Sequence, residues 1–412
     1  MIRRFTDKEF NITVATVLIT VMMQFLFIRY ASYAIEKNDF GNFVLLQTLI
    51  AGLSALFLQI PGQSFDRFYN AAVQKAAFIN EFRTMLIAIN ALSLFVVFLY
   101  GLVIDKFTTE ILVVVFIYFV LLNSYELNQK ILLLNLQRGR YFYTKLLEAL
   151  SKFILPIFAY IYFQTLASLF IATVIGYLIA TGVASVLLRE YPYRFVVKWQ
   201  NLKKYFLFAY PIMFVSIFTW GISFSDRYFI EYYLSTEDVA IYSLLAMVAG
   251  VGQIVGQIYF LYVEPKVLKA YEIDPEQTFK EIASYLKKLL LVFMALTLIA
   301  LLLPKEIYII LLEKKVVYND YYFTTMMILL VSIFINILHV AHHMYLKLLK
   351  RLDILAYIFL CAVAVNLLLN TFIKDYGIMM GAVSTMISYI TILILQIVFV
   401  RRQIKKNRIK SI

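Results

Sequence analysis

The sequence predicts an all-α, polytopic integral membrane protein with about twelve transmembrane helices. Three observations support this: 63% of the 412 residues are apolar or aromatic, only 15% are charged, and the apolar residues fall in long uninterrupted runs. A soluble domain has about 25% charged residues, and a spanning helix needs about 20 apolar residues. The composition therefore excludes a soluble enzyme, a disordered chain and an outer-membrane barrel, whose strands alternate polar and apolar residues.

The apolar runs give twelve predicted spans, and the connections between them are too short for a folded extramembrane domain. The first run is long and lacks a small-residue cleavage site, so we interpret it as a span rather than a signal peptide. The single cysteine, Cys361, excludes an intrachain disulfide and a multi-cysteine metal site. In chain order the predicted spans are 11–33, 40–60, 82–104, 110–136, 145–163, 166–188, 205–233, 239–263, 285–303, 321–346, 353–373 and 377–400.

Lysine and arginine are distributed unevenly between the two sides of this topology. Of the 38, 29 lie in the termini, in the connections on their side or at the ends of spans beside those connections, six lie in the opposite connections, and three lie elsewhere within spans. Basic connections face the cytoplasm, so both termini are predicted to be cytoplasmic. This placement explains the net charge of +13 without a nucleic-acid partner, and the basic tail at 401–412 is expected to attract anionic lipid headgroups.

The two halves of the chain resemble each other at an offset near 200 residues. Six helices per half make this a parallel repeat, an arrangement that suits alternating access around a central cavity. We therefore expect an N-terminal six-helix lobe over 1–200, a C-terminal six-helix lobe over 201–400, and a cytoplasmic tail. The matching positions are Arg29-Tyr30 with Arg227-Tyr228, Asp39 with Asp238, and Pro61 with Pro265.

Three cations within the spans, Arg29, Lys152 and Arg227, are the candidate substrate-binding residues. A charge inside the membrane is costly, and these groups bind phosphate oxygens well. Structural alternatives stay open, because Arg29 lies near the outer headgroups and Asp226 neutralises Arg227. Glu148 precedes Lys152 by four residues, which predicts either a structural ion pair or a Lys152 that faces an anion beside Glu148.

The fourth span carries polar residues along one helix face, at Asn123, Glu126 and Lys130. Such a row lines either a wet cavity or a helix interface, and we favour the cavity for Glu126. Gln253 and Gln257 on the eighth span either line a cavity or pack between helices. Asp226, Glu126, Glu148, Asn123, Gln253 and Gln257 are thus the candidate cavity or ion-coupling residues.

Metal and catalytic sites are not predicted. The three histidines, His339, His342 and His343, have a spacing that suits two metal ligands, but no cysteine lies near and no carboxylate shares their helical turn. Polar packing or phosphate contact is favoured for them instead. There is no phosphate-binding loop and no serine, histidine and acid set, so neither an enzyme nor a cofactor is expected. Asn366 and Asn370, four residues apart, are predicted to bond neighbouring helices.

Three stretches of sequence follow one another in the order of a known family's motifs. Asp39-Phe40-Gly41 follows the first span. The second stretch is Tyr210-Pro211-Ile212, Trp220, Ser225-Asp226-Arg227-Tyr228 and Val239-Ala240-Ile241-Tyr242, where the family has glycine at the second of the last four positions. The third is Asn366, Asn370, Tyr376-Gly377-Ile378, Gly381-Ala382 and Thr385. Over the whole chain these resemble the Wzx-type polysaccharide flippases of the multidrug/oligosaccharidyl-lipid/polysaccharide (MOP) exporter superfamily.

The resemblance implies a flippase of the bacterial inner membrane. Its substrate would be a lipid-linked oligosaccharide on undecaprenyl pyrophosphate, such as an O-antigen unit of lipopolysaccharide, moved from the cytoplasmic to the periplasmic leaflet. Other polysaccharide-assembly proteins would be its partners, and coupling to protons, to sodium or to the substrate gradient alone stays open. One alternative is a cation-coupled multidrug exporter of the same superfamily, which favours an acidic cavity. Another is a membrane-embedded glycan polymerase or ligase, which favours a larger outer loop than 304–320.

Overall fold

The computed structural model describes residues 7–349, 351 and 353–410, and all regular elements in these ranges are helical. The predicted all-α membrane fold is therefore confirmed. Ten described helical segments are long and apolar enough to cross a membrane, and two shorter apolar segments, Leu18–Tyr33 and Ile354–Asn370, fall in the first and eleventh predicted spans. The chain forms two compact units, with the boundary between Ser216 and Ile217.

The first unit contains eight helices and the beginning of a ninth. They are α1 (Asp7–Tyr33), α2 (Lys37–Leu53), α3 (Gln59–Phe68), α4 (Lys75–Ile104), α5 (Thr109–Leu134), α6 (Arg138–Ala149), α7 (Leu155–Phe163), α8 (Leu166–Leu187) and α9 (Trp199–Tyr233), which continues into the second unit.

Two π-helical turns join helices of the first unit into longer spans. Ser54–Leu58 joins α2 to α3, and Leu150–Ile154 joins α6 to α7. Each turn ends shortly before a proline, Pro61 or Pro156. Proline has no N–H to donate and clashes with the carbonyl four residues earlier, and a widened turn relieves this without ending the helix. The second span therefore extends to Phe68, beyond the predicted end at residue 60.

Aromatic contacts pack the helices of the first unit together. Phe43 of α2 contacts Phe170 of α8, with ring centroids 4.8 Å apart. Phe27 of α1 contacts Phe153 of the second π turn, with centroids 6.0 Å apart. This second contact places the α1 segment that carries Arg29 against the turn that carries Lys152.

The second unit is organised around one long helix, α15 (Asp320–Leu348). It packs most extensively against α18 (Ile378–Lys410) and also contacts α10 (Thr236–Ala249), α11 (Gln253–Ile273) and α12 (Pro275–Leu302). Phe293 and Phe334 stack with ring centroids 4.5 Å apart. The helices are the rest of α9, α10 (Thr236–Ala249), α11 (Gln253–Ile273), α12 (Pro275–Leu302), α13 (Lys305–Ile309), α14 (Lys314–Val317), α15 (Asp320–Leu348), α16 (Asp353–Asn370), α17 (Ile373–Tyr376) and α18 (Ile378–Lys410).

Candidate functional site

A charged pair is buried in the second unit, near the end of α9. The Asp226 carboxylate is 2% exposed and accepts hydrogen bonds from the Arg227 backbone N–H at 2.8 Å and from Arg227 Nη1 at 3.1 Å. The Tyr242 hydroxyl of α10 also donates to this carboxylate. Arg227 Nη1 donates a further bond to the Ser223 carbonyl at 2.9 Å. These bonds favour the structural alternative for Arg227, in which Asp226 balances its charge.

A network of uncharged side chains lies beside this pair and joins three helices. Asn370 Nδ2 donates to Ser225 Oγ of α9 and to Asn366 Oδ1, both at 3.1 Å. Ser225 Oγ donates to Asn366 Oδ1 at 3.0 Å, and the Ser384 hydroxyl of α18 donates to Asn370. The prediction that Asn366 and Asn370 bond neighbouring helices is confirmed. Six residues of the second and third resembling stretches thus lie in this buried region: Ser225, Asp226, Arg227, Tyr242, Asn366 and Asn370.

The first unit contains a cavity beside the polar face of α5. Its volume is about 310 Å³, and Asn123, Glu126 and Lys130 all line it. Lys130 Nζ lies 2.6 Å from Asp66 Oδ2 of α3, and Asn123 Nδ2 donates to Asn90 Oδ1 of α4 at 2.8 Å. The three residues of the row thus line a cavity, and Asn123 also bonds a neighbouring helix.

The predicted ion pair between Glu148 and Lys152 is wrong. Glu148 Oε2 instead lies 2.6 Å from Lys145 Nζ, one helical turn in the other direction. The π turn Leu150–Ile154 widens the helix after Glu148, so a four-residue spacing no longer places Lys152 on the same face. Lys152 is exposed, and its ammonium lies 5.5 Å from the centre of the Phe153 ring.

The charges of α5 and α6 form one electrostatic cluster in the first unit. Those of Lys130, Lys145, Glu148 and Lys152 all act on Glu126. Two close pairs, Lys130 with Asp66 and Lys145 with Glu148, neutralise two of the three lysines. Lys152, in the π turn that follows α6, belongs to neither pair.

The two arginines of the sequence repeat differ in their surroundings. Arg29 is exposed, and its guanidinium carbon lies 4.9 Å from the centre of the Tyr33 ring. Arg227 is 9% exposed and bonds Asp226. The residues before Arg29 are Phe27 and Ile28, both buried, where the second half has Ser225 and Asp226. The first unit therefore has no carboxylate at the position that holds Arg227 in place.

The remaining candidates fall outside these clusters. Gln253 is exposed at the beginning of α11, and the side chain of Gln257 lies outside the described residues. His339 is buried between the rings of Phe359 and Tyr389, with centroids 5.8 and 5.6 Å away. No group of three or more potential metal ligands occurs among the described residues. His339 is therefore a packing residue, which is one of the two roles predicted for the histidines.

Comparisons with known proteins show what fold this is. No family model and no curated protein matches the sequence. Solved structures, in contrast, match this chain over nearly its whole length. A multidrug resistance MATE transporter of the MOP superfamily, in an inward-facing conformation, aligns with TM-score 0.72 and 12% identity over 96% of each chain. The lipid II flippase MurJ, inward closed, aligns with TM-score 0.72 and 14% identity over 95% of this chain and 87% of MurJ. The chain has the MOP transporter fold.

A third MOP transporter has the same fold with a different pocket. This protein of Pyrococcus furiosus, described as having a binding pocket of reverse polarity, aligns with TM-score 0.55 and 11% identity over 96% of this chain and 93% of its own. At such identities the similarity establishes the fold alone. Because a drug transporter and a lipid flippase match the MOP fold of this chain equally well, the substrate has to be inferred from this chain's own charges.

Sequence reasoning missed several residues that complete these clusters. Asp66 and Lys145 supply the partners of Lys130 and Glu148, and Ser384 closes the network of Asn366 and Asn370. Asp66 lay in what was predicted to be a loop, and Ser384 is one of several small polar residues of its helix. The signal for Lys145 was present, since it precedes Glu148 by three residues on the same helix.

Proposed function

We propose that this protein is a flippase that moves a lipid-linked oligosaccharide from the cytoplasmic to the periplasmic leaflet by alternating access. The proposed substrate is an undecaprenyl-pyrophosphate-linked O-antigen unit or another polysaccharide repeat unit. The single observation that carries the proposal is the exposed ammonium of Lys152 in the middle of a membrane span. The equally similar lipid II flippase supports it, because a lipid flippase already exists on this fold.

The depth of Lys152 makes its exposure informative. Its span runs from Arg138 to Phe163, so Lys152 lies about 21 Å from one end and about 16 Å from the other at a rise of about 1.5 Å per residue. A lysine side chain is too short to reach headgroups over such distances, and an ammonium in hydrocarbon is costly. We therefore infer that Lys152 faces water, where it is available to an anionic group of the substrate.

The cluster around Lys152 suggests how the anion is exchanged. We infer that in the absence of substrate Glu126, the remaining carboxylate of this cluster, serves as the counter-ion of Lys152. When a pyrophosphate approaches, it takes over the role of counter-ion, and Glu126 is then free to bind a proton. We propose Arg29, on the helix that packs against the turn of Lys152, as a second phosphate ligand. Arg227 is bound to Asp226 on α9, so we infer that it stabilises this helix and affects the substrate only indirectly.

Flipping can be measured directly in liposomes. Purified protein is reconstituted with an undecaprenyl-pyrophosphate oligosaccharide, and an impermeant glycosidase reports the rate at which glycan becomes accessible. A charged hydrogen bond contributes about 1.5–3 kcal/mol, so Lys152→Gln is expected to slow flipping about tenfold or more, with Lys152→Arg intermediate. Lys203→Gln, at an exposed position near the beginning of α9, is the matched control for loss of one positive charge. Wild-type protein without flipping activity would refute the proposed substrate.

A multidrug exporter is the second candidate, and one observation favours it. Glu126 is exposed and lines the cavity of the first unit, where it is available to a cationic drug. The two functions predict opposite effects of one variant. Lys152→Gln removes a positive charge, so it should improve export of a cationic dye and impair flipping of a pyrophosphate lipid. Faster dye export by Lys152→Gln than by wild type, with no glycan flipping by either, would establish the exporter.

Orientation in the bacterial inner membrane is the last part of the proposal. The distribution of Lys and Arg places both termini in the cytoplasm. After replacement of Cys361, a cysteine at Lys280 should be labelled by an impermeant thiol reagent only in permeabilised cells, and one at Ile310 also in intact cells. Both positions are exposed. The reverse pattern of labelling would invert the topology and with it the direction of transport.

A further inference from the structure

A second cavity of the first unit lies among α4, α5 and α8, and the connection from α8 to α9 covers one end. Its volume is about 470 Å³. No carboxylate occurs among the residues that line it, while two arginines do. The polar lining residues are Arg83 and Asn90 of α4, Ser124 and Asn128 of α5, Thr181 and Ser185 of α8, and Arg189, Tyr191 and Tyr193 of the connection.

Hydrogen bonds hold the connection in place over the cavity. Arg83 Nη1 donates to the Tyr191 carbonyl at 2.6 Å, and Asn80 Nδ2 donates to the Pro192 carbonyl at 3.0 Å. Both donors are on α4, so they fasten the covering segment to the wall of the cavity. The cavity is therefore formed before any ligand binds, and a ligand would not have to order this segment itself.

The carboxylate that α4 carries near this cavity, Glu81, is neutralised by a lysine that does not line the cavity. Glu81 is 5% exposed and lies 2.9 Å from Lys198 Nζ. It also accepts a hydrogen bond from Tyr205 at 3.1 Å. Arg83 and Arg189 form no ion pair in the part of the chain that the structure describes. The cavity thus presents an excess positive charge, which an anion would balance.

The surface of this cavity changes from basic to polar with increasing depth in the membrane, and the helix surfaces beyond it are apolar. Arg83 and Arg189 lie at the side predicted to be cytoplasmic. Asn90 lies seven residues, about 10 Å, deeper along α4 than Arg83, and Thr181 lies six residues before the end of α8 at Leu187. Beyond these, exposed apolar side chains continue on both helices. They are Leu94 and Phe98 of α4, exposed by 48% and 59%, and Ile175 and Leu178 of α8, exposed by 50% and 58%.

We propose that this cavity binds an anionic phospholipid of the cytoplasmic leaflet. Arg83 and Arg189 contact the phosphate, Asn128 and Ser185 bond hydroxyls of the headgroup, and the acyl chains follow the apolar surfaces of α4 and α8. The order of the lining residues matches the order of phosphate, ester and acyl groups in such a lipid. The covered end admits a small headgroup such as glycerol, whereas an oligosaccharide would have to displace the hydrogen-bonded connection. The proposal is independent of the transported substrate.

Native mass spectrometry of the delipidated protein tests this site. Equal amounts of phosphatidylglycerol and phosphatidylethanolamine are added, and bound lipid is counted. We expect wild type to prefer phosphatidylglycerol, and Arg189→Gln combined with Arg83→Gln to reduce its binding about tenfold or more. Lys287→Gln with Lys288→Gln removes the same charge from two exposed residues of α12, outside the basic tail, and should leave binding unchanged.

Arg83 also fastens the connection, so two further variants keep the test independent of folding. Arg189→Gln alone changes an exposed residue, and Ser185→Leu fills the cavity without changing charge. Each should weaken phosphatidylglycerol binding. Thermal unfolding of Arg189→Gln should stay as in wild type, whereas Ser185→Leu also removes the acceptor of Asn128 Nδ2. Equal binding by wild type, Ser185→Leu and the double variant would overturn the proposal. Displacement of the lipid by millimolar inorganic phosphate would indicate a free-phosphate site, and preferential binding of undecaprenyl pyrophosphate would indicate a substrate site; either result would also overturn it.

Discussion

The ammonium of Lys145 lies 2.6 Å from the carboxylate of Glu148, and this ion pair separates the roles of two lysines on one helical segment. Lys145 neutralises a carboxylate that lies inside the span and is therefore structural. Lys152, beyond the π turn, lies outside the pair and remains available to a ligand. Stability and transport should consequently respond to different lysines.

The first prediction is that Lys145→Met lowers stability while Lys152→Gln lowers only flipping. Loss of Lys145 leaves Glu148 without its partner, and because both side chains are partly exposed, the expected cost is about 1 kcal/mol. Thermal unfolding in detergent measures the cost. The double variant Lys145→Met with Glu148→Gln should recover stability, because no charge is then left without its partner. A larger loss of stability in Lys152→Gln than in Lys145→Met would contradict this division.

The π turn also shows where sequence reasoning reached its limit. The row of Asn123, Glu126 and Lys130 lies on an uninterrupted α-helix, so its spacing predicted a shared face and the cavity it lines. Glu148 and Lys152 have an equally favourable spacing, but the helix between them is widened. Spacing rules assume about 3.6 residues per turn, and a single π turn invalidates them. Pro156 was the available signal, since a proline inside a predicted span indicates irregular geometry upstream.

The second prediction concerns the buried pair of Asp226 and Arg227. Removal of one partner leaves an uncompensated charge, so Arg227→Ala should destabilise the protein by about 3–5 kcal/mol and lower its membrane abundance. The double variant Asp226→Asn with Arg227→Gln removes both charges and should restore abundance and flipping. Abundance and flipping are measured on the same membranes. If Arg227→Ala were present at normal abundance but did not flip the substrate, Arg227 would instead be a substrate-binding residue.

Arg29 provides the contrast to this prediction. It is exposed, and the repeat position that corresponds to Asp226 is the buried Ile28. The sequence repeat aligned the two arginines, but the residues that precede them differ between the two halves. Those residues decide whether the guanidinium is held by its own helix or faces outward, which is why the repeat alone could not assign their roles.

The third prediction is that the hydrogen bonds of Asn370 to the neighbouring helices α9 and α18 stabilise the second unit. Asn370→Ala removes the hydrogen bonds of Asn370 to Ser225 and Ser384 on the two neighbouring helices, and a hydrogen bond between membrane helices contributes about 1 kcal/mol. Ser388→Ala is the matched control, because Ser388 Oγ bonds the Ser384 carbonyl of its own helix. Thermal unfolding should shift clearly more in Asn370→Ala than in Ser388→Ala. Equal shifts would mean that the network contributes little.

The last prediction assigns a backbone role to Gly377, a residue of the family-like Tyr-Gly-Ile sequence. Its φ of +67° is a conformation that L-residues rarely adopt, and an added Cβ would lie 2.4 Å from the Tyr321 hydroxyl oxygen. That hydroxyl donates to the Tyr376 carbonyl at 2.8 Å and accepts from the Met379 N–H at 3.0 Å. It therefore joins α15 to the beginning of α18, and a side chain at Gly377 would disturb this junction.

Gly377→Ala should accordingly destabilise the protein by about 1–3 kcal/mol in thermal or denaturant unfolding. Gly139→Ala is the control, because Gly139 has no atom within 4 Å of the added Cβ and lies in α6 with an ordinary helical backbone. This control should be neutral or stabilising by up to about 1 kcal/mol. Tyr321→Phe removes the atom that the Cβ meets together with its two hydrogen bonds, so Gly377→Ala should cost less in a Tyr321→Phe background than in wild type, by the steric part of the loss. Suppose that Gly377→Ala is as stable as Gly139→Ala but no longer flips substrate. Gly377 would then be needed for contact with the substrate and not for the junction of α15 and α18.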